Sequence, residues 1–322
     1  MRCADIHVQA QTLSRRGFVA SASLAWAAAC LAPGAAFAAE AEDGLVQLSR
    51  KSAAAAKIAV RTIRGNLSVL EGSGGNIAVL HGPEGKLLID AGMSKANVLA
   101  ALDGIGRGPP RYVVNTHWHY DHTDGNAWMH EAGATIVAQE NTRRRMSTAT
   151  RVEAWNFTFP PASAGALPEI VFRGVTALHF ADTAVVLEPY APAHTDGDVR
   201  ITFASGDVVH LGDTWWNGHY PFIDYSTGGS INGMIRAAEE NVEAVTDKTM
   251  IIPGHGPIGD RKQLTEFRDL LRRVRDAVAA LKMQGRSADE AVAAKLTAKY
   301  DAKWGTFFVG PEMFTRLVYA GV

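Results

Sequence analysis

The run His117-Trp118-His119-Tyr120-Asp121-His122 limits what this chain can fold into more than any other stretch. It follows the apolar run Tyr112-Val113-Val114-Asn115, which reads as a buried strand. Successive side chains of a strand alternate faces, so His117 and His119 point the same way. Asp121 and His122 follow where the chain leaves the strand. A borderline-soft divalent cation such as zinc takes imidazole nitrogen and carboxylate oxygen at about 2.0–2.2 Å. The hexapeptide offers three of the first and one of the second, enough to begin two adjacent sites.

The same strand-then-ligand pattern recurs downstream. Val185-Val186-Leu187-Glu188 leads to His194-Thr195-Asp196-Gly197, and Val208-Val209-His210-Leu211 leads to Gly212-Asp213-Thr214. Met250-Ile251-Ile252 leads to Pro253-Gly254-His255-Gly256. Each apolar strand ends in a polar, Gly-flanked turn that presents one ligand type, as expected of active groups on loops held by a rigid sheet. The remaining histidines, His7, His81, His130, His179, His210 and His219, read as ordinary packed or surface residues, with His210 inside a strand and satisfied by a core hydrogen bond.

Between these motifs the chain mixes short strands and helices. Residues 39–56 read as a loose, Ala-rich lead-in, and Lys57 to Ile89 as strands broken by Gly72-Ser73-Gly74-Gly75 and Gly82-Pro83-Glu84-Gly85. Helices are expected near Ala96–Leu102, Asn126–Glu131, Asn141–Met146 and Ile231–Val245, and strands over Ala134–Ala138, Val171–Phe180 and Val199–Phe203. Residues 151–168, with three prolines, read as an inserted loop. The tail is helical: Leu264, Phe267, Leu270, Leu271, Val274, Val278 and Leu281 fall at 3–4 spacing. Gly285 suits a C-cap, and Ser287 with Glu290 forms a capping box. The pattern suits a four-layer α/β/β/α sandwich, two sheets face to face under helices, followed by C-terminal helices.

The N-terminus reads as separate from that fold. Ser14-Arg15-Arg16-Gly17-Phe18 precedes an apolar, Ala-rich stretch, and Ala36-Phe37-Ala38 fits a small-x-small cleavage site. Residues 1–38 thus resemble a twin-arginine export signal, which places the protein in the periplasm with no membrane association after cleavage. Residues 39–322 read as one folded domain, with a core near 57–258 and a tail from 259 to 322. Both cysteines, Cys3 and Cys30, leave with the signal, so no thiolate ligand or Cys nucleophile remains. The net charge of -1 carries no basic excess, so nothing electrostatic favours nucleic acid.

His117-x-His119-x-Asp121-His122, then His194, Asp213 and His255, with Ile89-Asp90-Ala91-Gly92 ahead of them, resemble the metallo-β-lactamase superfamily over roughly residues 57 to 258. The resemblance implies two zinc ions, with iron and manganese left open. It assigns His117, His119 and His194 to the first metal, Asp121, His122 and His255 to the second, and Asp213 as a bridge. It implies a hydroxide bridging the ions that attacks the carbonyl of a small lactam, lactone, ester or thioester. In that reading Asp121 also orients the hydroxide and moves its proton, Asp90, Thr116 and Thr195 support the ligands, and Tyr220 or His219 donates to the oxyanion. The aromatics Trp118, Tyr120, Trp215, Trp216, Tyr220, Phe222 and Tyr225 either line a cleft or pack the loops. Asp213 leans toward glyoxalase II-like and lactonase-like hydrolases rather than β-lactamases, and Arg272, Arg273 and Arg275 read as a solvated helix face. Two other readings stand beside this one: an iron-dependent persulfide dioxygenase, and a non-catalytic metal-binding accessory protein of a periplasmic oxidation pathway. Oligomeric state is not readable.

Overall fold

The computed structural model describes residues 44–322; the expected export signal lies outside the described residues. The first described element corrects an expectation. Residues 45–55 are a helix, α1 (Leu45–Ala55), not a loose lead-in. Its Val46 and Ala53 are fully buried, and Arg50 reaches Asp124 through two hydrogen bonds of 2.6 and 2.9 Å. Alanine favours helix wherever one face finds a surface to cover.

In chain order the next strands are β1 (Ala59–Arg64), β2 (Leu67–Glu71), β3 (Ile77–Gly82), β4 (Gly85–Ile89), β5 (Pro110–Val114), β6 (Thr135–Gln139), β7 (Thr150–Val152), β8 (Phe157–Phe159) and β9 (Ile170–Phe172). They are followed by β10 (Thr176–Phe180), β11 (Thr183–Pro189), β12 (Val199–Phe203), β13 (Val208–His210) and β14 (Met250–Ile252). Two large sheets result. One runs β1-β2-β3-β4-β5-β6-β9 and the other β10-β11-β12-β13-β14, with β7 and β8 forming a separate hairpin. The run Val171–Phe180 is therefore not one strand. It breaks at Arg173-Gly174-Val175, and its two parts join different sheets.

Side-chain alternation decides the layering. Leu67, Val69, Ala78, Leu80, Leu87 and Ile89 face Phe180, Val185, Leu187, Val199, Ile201 and Phe203 of the second sheet in one buried cluster. The residues between them, Leu70, Val79 and Leu88, turn the other way onto Val98, Leu102 and Met129. Those last three come from the helices α2 (Lys95–Asp103) and, beyond the single turn α3 (Tyr120–Thr123), α4 (Asn126–Glu131). The outer face of the second sheet is covered by α6 (Ile231–Ala244), α7 (Arg261–Met283) and α10 (Pro311–Ala320); α5 (Glu140–Ser147) precedes them in the chain, and α8 (Ala288–Ala293) and α9 (Ala298–Trp304) lie between α7 and α10. This is the expected α/β/β/α order with C-terminal helices. Residues 151–168 again differ from expectation: two strands and two short 3₁₀ turns replace a plain loop.

Caps mark where the tail helices start and stop. Asp260 with Gln263 and Ser287 with Glu290 both close capping boxes. The C-cap of α7 is Gln284, and Gly285 follows it with φ 76°, where a residue with a Cβ is strained. No helix among the described residues is long and apolar enough to cross a membrane.

Candidate metal centre

All seven expected ligands converge on one rim of the sandwich. Asp90 follows β4, the hexapeptide follows β5, His194 lies between β11 and β12, Asp213 follows β13 and His255 follows β14. Parallel pairing of β4 with β5 and of β13 with β14 brings these strand ends together from both sheets. The side chains fall into two groups, His117, His119, His194 and Asp213 in one, and Asp121, His122 and His255 in the other. The glycine turns hold them close. A Cβ on Gly75 would run into the His122 ring, and one on Gly254 into the Asp213 carboxylate.

The outward nitrogens of four rings are committed, which fixes their tautomers. His119 Nε2–H donates to Asp224 Oδ2 at 3.0 Å, and His194 Nδ1–H to the Phe222 carbonyl at 2.9 Å. His122 Nδ1–H donates to Asp90 Oδ2 at 2.7 Å. Thr116 gives its hydroxyl proton to Asp90 Oδ2 at 2.8 Å and so accepts from His117 Nδ1–H at 3.0 Å. In His117, His119 and His194 the inward nitrogen is left with a lone pair.

Those lone pairs face one another. His119 Nδ1 and His194 Nε2 lie 2.9 Å apart, a repulsive arrangement unless a cation sits between them. Nε2 of His117, His122 and His255 and Oδ1 of Asp213 are buried and have no hydrogen-bond partner. Asp213 spans both groups: its Oδ2 is 3.4 Å from His194 Nε2 and 3.4 Å from His255 Nε2, and its Oδ1 is 3.2 Å from His122 Nε2. Buried polar atoms are ordinarily satisfied, so this donor set fits two cations that share Asp213, with imidazole and carboxylate as zinc prefers them.

The two groups differ electrostatically. Burial, reinforced by His122, holds His117 well below the ordinary imidazole value, and burial likewise lowers His119. In the other group burial pulls His122 and His255 down, but the facing carboxylates outweigh it. Asp213, Asp121 and Asp90 carry His122 well above its usual range, and Asp213 with Asp121 carries His255 up to about 9. Despite burial, His255 and His122 hold Asp213 well below the carboxylate range. The second group therefore attracts positive charge, and a metal bound there would displace protons.

Asp90 supports more of the site than any other non-ligand. It is fully buried and accepts from the Thr116 amide and hydroxyl as well as His122. Its φ of 66° is unusual for a residue with a Cβ, the kind of strain that persists where the surroundings enforce it. Thr195 acts one step further out: its hydroxyl binds Asp198, which also accepts from the amides of His194 and Thr195. Asp224 and Asp198 were not foreseen from sequence. Asp224 meets His119 across 105 residues of chain, so no local pattern announces it.

Tyr220 is a correction. It is fully buried, its hydroxyl donates to Asp301 Oδ1 at 2.8 Å, and its ring stacks on Phe314 with centroids 4.5 Å apart. It ties the loop after Asp213 to the C-terminal helices and has no proton left for an oxyanion. His219 stays near the centre. Its ring packs on Phe307 at 4.5 Å, burial lowers it to about 4, and Nδ1 is unpartnered. His210 is satisfied as expected, between the Asn76 carbonyl and the Gly212 amide. The arginines of α7 pair with surface acids, Arg272 with Glu239 and Arg275 with Asp276.

Comparison with known proteins follows the same lines. Residues 70–278 match the family described as the metallo-beta-lactamase superfamily. The chain is 28% identical over 211 residues to a hydroxyacylglutathione hydrolase from Polaromonas sp., a match covering 64% of this chain and 70% of that protein. A stereoselective inverting sec-alkylsulfatase from Pseudomonas sp. matches in structure with TM-score 0.60 and 16% identity, over 81% of this chain and 50% of the other. The chain thus spans about half the length of that sulfatase. A metallo-beta-lactamase from Pontibacter korlensis gives TM-score 0.52 and 17% identity, over 67% of this chain and 99% of the other. At these identities the structural matches speak for the fold.

Proposed function

This chain belongs to the metallo-beta-lactamase superfamily, and from that premise we propose that it is an exported two-zinc hydrolase of a small carbonyl compound. The observation that carries the reading is the pair of facing, proton-free nitrogens of His119 and His194 beside a carboxylate, Asp213, presented to both ligand groups. The relative named for hydroxyacylglutathione makes an acyl bond the first class to test, with lactones, esters and lactams beside it.

His117, His119 and His194 would hold one divalent ion and Asp121, His122 and His255 a second, with Asp213 within reach of both; such ions would supply Lewis acidity and lower the pKa of water. The protein's own groups do the rest. His117, His119 and His194 are locked by their outer hydrogen bonds, so they bind without rearranging. Asp121 has the most exposed side chain of the seven, at 14% against 2% for Asp213. It is therefore the group placed to take the attacking water's proton and return it to the leaving atom. Aromatic rings surround the ligands: Trp118 lies 4.9 Å from His119, Trp155 4.8 Å from His119 and Trp216 4.4 Å from His255. Such walls exclude water and favour a substrate with an uncharged body.

The test is a panel of a thioester, an aryl ester, a lactone and a chromogenic cephalosporin, offered to zinc-loaded protein lacking residues 1–38. One class is expected to turn over with kcat/KM of about 10⁴ M⁻¹s⁻¹ or more, and Asp121→Asn to lower it by about 10²–10⁴-fold. Turnover indifferent to Asp121→Asn, or oxygen consumption with a single iron, overturns the reading. Export is checked by fractionating cells that carry Arg15→Lys with Arg16→Lys; retention in the cytoplasm is the expected result, and unchanged periplasmic delivery contradicts it.

A further inference from the structure

The site has a rim that metal binding does not explain. Trp155 rises from the β7–β8 hairpin and stacks on Phe222, centroids 4.8 Å apart at 28°. Phe307 and Phe308 come from the stretch between α9 and α10, beyond the family match at residues 70–278. Phe307 lies 5.8 Å from His255, on the side of the second ligand group, while Trp155 covers His119 of the first. The two elements meet where Phe308 stands edge-on to Trp155 at 6.3 Å and 87°. Trp155 and Phe308 are half-buried, and the indole N–H of Trp155 is buried without an acceptor.

A ring pair that served only packing would close on itself. This pair instead leaves two partly open ring surfaces, Trp155 against His119 of the first ligand group and Phe308 against Trp216, which packs on His255 of the second. We propose that Trp155 and Phe308 form an apolar subsite that grips the acyl chain or aryl group attached to the scissile carbonyl, so that the enzyme selects substrates with a medium-chain or aromatic acyl body. This rests on the two-zinc hydrolase reading. Edge and face of the two rings accept either an alkyl chain or an aryl ring. Each methylene that the subsite buries adds about threefold to fourfold in affinity.

Acetohydroxamate and octanohydroxamate share a metal-binding head and differ only in chain length, so their binding to zinc-loaded protein tests the subsite without turnover. By calorimetry, octanohydroxamate is expected to bind wild type at least about tenfold tighter. Trp155→Ala and Phe308→Ala, placed on separate elements, are each expected to weaken octanohydroxamate by about 3–10-fold. Acetohydroxamate binding and zinc content stay unchanged in Phe308→Ala, whose ring touches no ligand, and Phe308→Leu retains most of the preference. Equal binding of the two compounds to zinc-replete wild type overturns the subsite alone, as does a chain-length preference that survives in both alanine variants. Wild type that holds no zinc overturns the two-zinc reading, and the subsite with it.

Discussion

The two halves of the metal centre are built in different ways. His117, His119 and His194 are each anchored through the outer nitrogen, are almost fully buried, and present lone pairs. Where a shift is resolved, in His117 and His119, burial keeps the imidazole neutral. The other half has one anchored ring, His122 on Asp90, beside the partly open Asp121 and the buried His255. There the carboxylates raise the imidazoles. A cation would meet lone pairs in the first half and would displace protons in the second. The comparison teaches that preorganisation lies with the first group and exchange with the second, while Asp213 joins them.

The largest effect is expected from breaking the joint. Asp213→Asn should cost both groups, weakening zinc by more than the roughly 10–100-fold typical of losing a supporting partner. Metal analysis after dialysis reads this, and retention of two ions would remove Asp213 from the bridge. Next come the supports. Asp224→Asn should weaken the first ion by about 10–100-fold and leave the second near wild type. Asp90→Asn should weaken the second by a similar factor, and also touch the first through Thr116 and His117. Competition with a chromogenic chelator separates the two steps; identical profiles for the two variants would erase the distinction between the halves.

Smaller effects belong outside the centre. Tyr220→Phe removes the hydroxyl held by Asp301 and should lower stability by about 1 kcal/mol while turnover stays within about twofold. A thermal melt and an activity assay check both, and a large loss of turnover at unchanged stability would return Tyr220 to the chemistry. Ser287→Ala opens a surface capping box and should cost about 0.5–1 kcal/mol with zinc affinity untouched.

How much of this was legible depends on distance along the chain. The residues that gather at the candidate centre were readable because each closes an apolar strand with a Gly-flanked turn, a local signal repeated at His117–His122, His194, Asp213 and His255. The layers followed from the same strands, and the capping box at Ser287 from four adjacent residues. What failed was non-local. Helix α1 looks like a loose lead-in until Val46 and Ala53 find the core. The hairpin at Thr150–Phe159 hides behind Pro160 and Pro161, and Trp155 gains its meaning only from Phe222, His119 and Phe308. Tyr220 sat beside the right motif, but its partner Asp301 lies 81 residues away. Sequence shows where a ligand leaves a strand; it does not show which distant side chain holds that ligand still.

The most direct test is diffraction recorded at the zinc edge from crystals of the zinc-loaded protein. Two anomalous peaks are predicted, one among His117, His119 and His194 and one among Asp121, His122 and His255, both within reach of Asp213. A single peak, or an iron signal in place of zinc, would contradict the two-ion centre.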